Sequence, residues 1–120
     1  MKIEAHTEGD VRILALDGRL IAGTGDVVLR DAMNRVVAEG WTKVLLDLSR
    51  IKRIDSAGIG ELMASRKLAQ RFGSEIRLLN VEGQVHHILE MGQLLPLFTI
   101  YSDQETAVAE FSSAEAKADA

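Results

Sequence analysis

One short segment near the middle of the chain holds the residues whose types and spacing could support chemistry. It reads Asp55-Ser56-Ala57-Gly58-Ile59-Gly60. An aspartate or a serine in this position is a common N-cap for a following helix, and glycines leave the amides of the first turn within reach of an approaching group. Because these amides and the helix dipole favour an anion, a phosphate on Ser56 would be well placed. The segment is also compatible with a serine that only caps a helix and glycines that only permit close packing.

The remaining residues do not indicate another catalytic or metal-binding arrangement. The chain has no cysteine, which excludes thiolate nucleophiles, disulfides and cysteine-ligated metals. His86 and His87 are adjacent, so on a helix they point about 100° apart and cannot share a metal as an i, i+4 pair would. No serine lies in a G-x-S-x-G motif, and no lysine follows a phosphate-binding glycine loop. We therefore expect no enzymatic activity, no metal ion and no other cofactor.

Charge and composition exclude further classes of function. The chain has 120 residues, with 14 Lys and Arg against 18 Asp and Glu, a net charge of −4 and 4% aromatic residues. Such a domain lacks the basic face and the stacking side chains that nucleic-acid binding requires. The apolar runs are far shorter than the ~20 residues that span a bilayer, and the first residues do not resemble a signal peptide. We expect a cytoplasmic protein with no nucleic-acid partner and no membrane insertion.

The apolar pattern of the chain outlines the elements that must position the segment 55–60. Short alternating or apolar runs predict strands, and apolar residues at helical spacing followed by glycine predict helices. Strands are predicted at 3–7, 11–16, 43–48, 76–80 and 98–101, and helices at 28–37, 57–72 and 84–91. The capping-box pattern of Ser102 and Glu105 predicts the start of a last helix.

The order of these elements predicts a single α/β domain with a mixed sheet of four to five strands, an N-terminal hairpin and about four helices. The run 43–48 is nearly continuously apolar, which is typical of a parallel strand covered on both faces, and we place its end at Asp47. Function in such sheets concentrates at the carboxyl ends of strands, which singles out the loop 49–60. We predict a domain over 1–112 and a flexible tail over 113–120, because the tail has no apolar anchor beyond alanine.

The helix predicted after Ser56 has an outward face that starts with small residues. At about 100° per residue, this face contains Ala57, Gly60, Ala64, Lys67 and Arg71. Small side chains let another backbone or helix approach closely, and the two cations at the far end would meet an acidic partner. Small residues are also ordinary choices for a solvated surface. Arg50, Lys52 and Arg53 precede the helix and could steer an acidic partner or a nucleotide, although loop cations are commonly only solvated.

The segment 47–62 resembles the signature of the STAS domain family, which includes bacterial anti-sigma factor antagonists. The resemblance is carried by Asp47-Leu48-Ser49-Arg50-Ile51-Lys52-Arg53-Ile54-Asp55-Ser56-Ala57-Gly58-Ile59-Gly60-Glu61-Leu62. The predicted order of strands and helices agrees with the family over residues 1–112. The resemblance therefore implies a STAS-like fold for nearly the whole chain.

This resemblance also implies a phosphorylation switch at Ser56. In the family, the matching serine is phosphorylated by a partner that is both a serine kinase and an anti-sigma factor. The unphosphorylated form binds that partner and releases sigma, and a serine phosphatase reverses the modification. Together with the outward face of the helix, the resemblance predicts partner contacts at Asp55, Ser56, Ala57, Gly58, Gly60, Ala64 and Lys67.

Two features depart from the family pattern. Many phospho-regulated members carry an acidic residue after the glycine and leucine that follow the second strand, whereas Gly18-Arg19-Leu20 here leads into Ile21. The connection Ala22-Gly23-Thr24-Gly25 also differs from that pattern. An alternative function is therefore a constitutive STAS-like scaffold or subunit in which Ser56 is not modified. Such a subunit would belong to a lipid transporter or a stressosome-type assembly.

Overall fold

The computed structural model describes the backbone of residues 1–119 and the side chains of residues 1–114. In this part of the chain the elements are β1 (Lys2–Glu8), β2 (Val11–Leu20), α1 (Gly25–Ala38), β3 (Lys43–Ile54), α2 (Ser56–Arg71), β4 (Glu75–Leu79), α3 (Gly83–Met91), β5 (Ile100–Tyr101) and α4 (Gln104–Asp119). A short 3-10 turn (Leu95–Leu97) precedes β5. This is the predicted order of strands and helices.

The five strands form one mixed sheet in the order β1-β2-β3-β4-β5. β1 pairs with β2 in an antiparallel hairpin, and every later pairing is parallel. The α/β class, the N-terminal hairpin and the mixed sheet are thus confirmed. Because β2, β3 and β4 run in the same direction, their carboxyl ends meet at one end of the sheet, where α1, α2 and α3 begin.

Helices cover both faces of the sheet. Leu14 and Leu46 point into a core shared with α1, α2 and α3, whereas Ile13 and Leu45 point into a smaller core under α4. All four side chains are at most 1% exposed. Burial on both faces explains why the start of β3 is a continuous apolar run and not an alternating one.

The end predicted for β3 at Asp47 is wrong, because the strand continues to Ile54. Beyond Asp47 the strand keeps its pairing with β2, and two irregularities in the register bring Leu20 opposite Ile54. The added residues include Ser49, Arg50, Lys52 and Arg53, all exposed, so they carry no apolar signal. Hydrogen bonds from β2, which hydrophobic patterning does not report, hold this half of the strand.

Two predictions for helix boundaries are also wrong. Asp103, not Ser102, caps α4: its Oδ2 accepts hydrogen bonds from the Thr106 amide and hydroxyl, both at 2.8 Å. The apolar spacing predicts Phe72 as the last buried residue of the helix over 57–72, but α2 ends at Arg71 and Phe72 is 61% exposed. It follows the end of the helix, so the helical period no longer sets its direction.

The predicted C-terminal tail falls at the limit of the described residues. α4 includes Ser113, whose hydroxyl donates to the Ala109 carbonyl oxygen at 2.8 Å. The helix therefore continues past residue 112. The side chains of residues 115–120 lie outside the described part of the chain, and the flexibility of 113–120 stays a prediction.

Candidate functional site

The candidate site is built where the paired ends of β2 and β3 meet the first turns of two helices. Gly25 begins α1 and Gly58 lies in the first turn of α2, and both are buried. A Cβ atom at Gly25 would collide with the Arg19 carbonyl oxygen, and one at Gly58 would collide with the Leu20 carbonyl oxygen. Glycine at both positions lets the two helix starts press against the end of β2, which brings their loops together.

The role predicted for Gly58 therefore changes. The sequence suggested that its missing Cβ exposes the first-turn amides, but Gly58 is buried against β2 and its own amide donates to Asp55 Oδ1 at 2.9 Å. Gly60 differs, because it is exposed and a Cβ atom there would meet nothing within 4 Å. Of the two glycines, only Gly60 offers an open surface.

Asp55 is the N-cap of α2 and also ties this helix to the loop that precedes α1. Its Oδ1 accepts from the Gly58 amide, its Oδ2 accepts from the Ala22 amide at 3.1 Å, and its own amide donates to the Leu20 carbonyl oxygen at 3.4 Å. The hydrogen bond from Ala22, followed by that from Gly58, holds the pKa of Asp55 below its ordinary value. The carboxylate is therefore negatively charged at neutral pH, directly beside Ser56.

Ser56 is the first residue of α2 and is exposed. The sequence left open whether Asp55 or Ser56 caps the helix, and the structure assigns the cap to Asp55. Within the described part of the chain, no hydrogen bond holds the Ser56 hydroxyl. An exposed hydroxyl without a capping role is accessible to a modifying enzyme.

The outward face of α2 is largely as predicted. Gly60, Ala64, Lys67 and Arg71 are exposed, and Ala57 is half-buried. The face has the small side chains near Ser56 and the cations at the far end. It is open to a partner over about three turns of the helix.

α1 lies beside this face and contributes residues that sequence reasoning missed. Arg30 donates to Glu61 Oε1 from Nε at 3.0 Å and from a terminal nitrogen at 2.9 Å. Glu61 is buried, Arg30 is half-exposed, and Val27 in the first turn of α1 is 41% exposed. No spacing rule links Arg30 to Glu61, because they lie on different helices. Only the packing of α1 on α2 brings them together.

Two further features complete the surroundings of the site. Gln84, in the first turn of α3, accepts a hydrogen bond from the Ile54 amide at 3.2 Å through Oε1, so α3 also holds the end of β3. An open depression of about 640 Å³ beside the ends of β1 and β2 is lined by Lys2, Arg19 and Lys52 among others. Among the described residues, no group of three or more His, Asp or Glu side chains could hold a metal ion.

Comparison with known proteins agrees with this architecture. Residues 2–107 match the family model of the STAS domain, so the chain belongs to the STAS domain family. It is 27% identical over 110 residues to the anti-sigma F factor antagonist of Paenibacillus polymyxa, which covers 92% of this chain and 94% of that protein.

Solved structures show the same fold. The Thermotoga maritima protein TM1081 matches with a TM-score of 0.83 at 22% identity, covering 92% of this chain and 94% of that one. The Bacillus cell fate determinant SpoIIAA in its phosphorylated form matches with a TM-score of 0.72 at 16% identity, covering 91% and 98%. In the part of the chain that is described, no helix has the length and apolar character needed to cross a membrane.

Proposed function

We propose that this protein is an anti-sigma factor antagonist whose binding is switched off by phosphorylation of Ser56. In its unphosphorylated form it binds an anti-sigma factor that is also a serine kinase, and sigma is released. A serine phosphatase restores the unphosphorylated form. The protein has no catalytic activity of its own in this proposal, and it acts in the cytoplasm, where its partners meet sigma.

The observation that carries the proposal is the exposed Ser56 hydroxyl, which Asp55 leaves unbonded by taking over the cap of α2. The Paenibacillus polymyxa relative, matched over 92% of this chain, is named an anti-sigma F factor antagonist. SpoIIAA, which shares the fold, has been solved in a phosphorylated form. The first relative supports a role as an anti-sigma factor antagonist, and the second shows that a protein of this fold can carry a phosphate.

A phosphate on Ser56 would act on binding more than on folding. It adds about −1.5 to −2 charges at a helix N-terminus, where an anion is stabilising by about 0.3–1 kcal/mol. The ionised Asp55 beside it opposes this gain by repulsion, so the two effects nearly cancel. A partner that covers Ser56 must desolvate the new dianion, which costs several kcal/mol unless it meets a counter-charge.

The proposed contact surface consists of Asp55, Ser56, Ala57, Gly60, Ala64 and Lys67, with Gly58 beneath it. Gly60 and Ala64 permit close approach, and Lys67 supplies a cation at the edge. Gly58 contributes from below, because its contact with Leu20 sets where α2 begins. Arg30 on α1 reaches α2 at Glu61, which is next to Gly60 in the sequence.

Phosphorylation by the anti-sigma kinase of the host, followed by intact mass, tests the proposal. Wild type should gain one phosphoryl group from ATP and Ser56→Ala should gain none. Ser49→Ala is the matched control, because Ser49 is also exposed, and it should be modified like wild type. Modification mapped to another serine would overturn the assignment.

A binding measurement completes the test. Ser56→Asp should keep the circular dichroism spectrum and the melting temperature of wild type, while calorimetry against the anti-sigma factor shows weaker binding. Broad destabilisation of Ser56→Asp would contradict the separation of binding from folding. A Ser56 that stays unmodified in protein from the host, together with equal binding of the partner by wild type and Ser56→Asp, would instead favour the constitutive scaffold.

A further inference from the structure

The outer edge of the sheet carries a charge pattern that is complementary to itself. Among the described residues, β1 pairs with β2 alone, so one side of its seven residues has unpaired backbone donors and acceptors. Lys2, Glu4, His6 and Glu8 point to the face of α4, since they lie opposite Asp17, Ala15, Ile13 and Val11. Ile3, Ala5 and Thr7 point to the face of α1. Such an edge accepts a further strand unless its charges prevent it.

An antiparallel copy of β1 matches these charges when the two-fold axis passes through Ala5. Lys2 then lies opposite Glu8 of the second copy, Ile3 opposite Thr7, and Glu4 opposite His6. No like charges oppose each other in this register, and directly opposed unlike charges stabilise paired strands. A two-fold axis repeats each of these contacts, so every favourable pair counts twice.

The surroundings of β1 add to this complementarity. Lys2 lines a depression together with Arg19, Lys52 and one carboxylate, Asp17, so this end of the edge has a net positive charge. Glu8 lines a depression at the other end together with Glu105 of α4, so that end is negatively charged. Antiparallel pairing of two copies places the positive end of each edge on the negative end of the other.

We propose that β1 is a homodimerisation edge, through which two copies of this chain join their sheets into one of ten strands. The dimer is held by the backbone ladder centred on Ala5 and by two Lys2–Glu8 pairs. The contact is separate from Ser56 and α2, so the inference does not depend on the proposed function.

Disulfide trapping tests the register directly, because the chain has no cysteine of its own. Residues directly opposite in an antiparallel pair have Cα atoms about 4.5–5.5 Å apart, within the range that a disulfide spans. Ala5→Cys should therefore form a covalent dimer rapidly under mild oxidation. Glu8→Cys is the matched control on the same strand, since its two copies would lie about 20 Å apart and should stay monomeric.

Sedimentation equilibrium of the full chain tests how much the charges contribute to dimer stability. Wild type should show a reversible monomer–dimer equilibrium that weakens with added salt. Lys2→Glu and Glu8→Lys should each raise the dissociation constant about tenfold, whereas the double variant should recover most of the wild-type affinity. Lys2 also pairs with Glu4 of its own chain, but both side chains are well exposed, so this loss has little effect on folding.

Three results would overturn the inference. They are a wild-type protein that stays monomeric into the millimolar range, a dimer that is indifferent to both charge reversals, and equal cross-linking of Ala5→Cys and Glu8→Cys. Ala5→Lys, which opposes two like charges on the axis, should abolish the dimer with an unchanged circular dichroism spectrum.

Discussion

Two aspartates at opposite ends of the sheet each join separate segments of the chain, but they do so with different donors. Asp55 accepts from the backbone amides of Ala22 and Gly58. Asp10, in the turn between β1 and β2, accepts from Lys43 Nζ and from the Ser112 hydroxyl, both at 2.6 Å. Both carboxyl groups have a lowered pKa, caused first by the Ala22 amide for Asp55 and by Lys43 for Asp10.

The difference determines what each end of the molecule can do. Lys43 balances the charge of the Asp10 carboxylate and also donates to the Ser112 carbonyl oxygen at 3.0 Å, so the contacts of Asp10 and Lys43 fasten α4. Backbone amides are neutral, so Asp55 keeps its full negative charge beside an exposed serine. Hydrogen bonds therefore fix the Ser56 end without neutralising the charge of Asp55. A second anion at Ser56 adds to this charge and changes how the surface binds a partner.

The largest effect is expected at the glycine that supports the Ser56 end. Gly58→Ala places a methyl group against the Leu20 carbonyl oxygen and should lower the free energy of unfolding by about 2–3 kcal/mol. Gly60→Ala is the control, because its position is open, and it should raise this free energy by up to about 1 kcal/mol. Urea denaturation measures both, and equal effects would contradict the contact.

A smaller effect is expected at the Asp10 end. Lys43→Met removes the cation between Asp10 and Ser112 and should lower the free energy of unfolding by about 2 kcal/mol. The loss is smaller than for a fully buried pair, because the side chain of Asp10 is 49% exposed. Hydrogen exchange should show faster opening of α4 than of α2. Lys67→Met, at an exposed position, should change stability by less than about 0.5 kcal/mol.

The next largest effect on the free energy of unfolding is expected for a substitution on the flank of α2. Leu68 packs against the main core, so Leu68→Gln should lower stability by about 1–2 kcal/mol and alter anti-sigma binding little. Ala64→Gln, on the exposed face, should stay within about 0.5 kcal/mol yet weaken binding, because a long side chain separates the packed surfaces. Calorimetry beside thermal melts distinguishes the two, and equal affinity of wild type and Ala64→Gln would place the partner elsewhere.

The smallest effect is expected in the pH dependence of the free energy of unfolding. Because the pKa of Asp55 in the folded protein is below its ordinary value of 3.8, its contribution to stability is present above that value and is lost as the pH falls through the lowered pKa. Asp55→Asn should therefore make the acid side of the stability curve shallower below about pH 4. Thermal melts from neutral to acid pH would show this, and parallel curves for wild type and variant would contradict it.

The central strand and the helix after it show how far sequence reasoning extends. The apolar run that begins β3 predicts its burial on both faces, and the spacing after Ser56 predicts which side of α2 faces solvent. Both features repeat along neighbouring residues, so a local pattern reports them. The second half of β3 has no such pattern, because Arg50 and its neighbours face solvent and only β2 holds them in the sheet.

The roles of single residues also divide into those that local sequence predicts and those that depend on contacts with distant segments. Ser56 and Asp55 were recognised as a helix start from their types, but a local pattern could not choose the cap, since either side chain can accept from a first-turn amide. The choice of Asp55 follows from the Ala22 amide, which lies 33 residues away in the chain. For Gly58, the contact with Leu20 joins residues that lie still farther apart in the sequence, and spacing rules do not report it.

The sequence by itself determined the order of strands and helices, the family and the position of Ser56 at the start of a helix, because each depends on residue types at short, regular spacing. The tertiary structure alone decided where β3 ends, why residue 58 is glycine and which residue of α1 pairs with Glu61 of α2. These features depend on contacts between segments that are distant in sequence, and such contacts form only when the sheet is assembled.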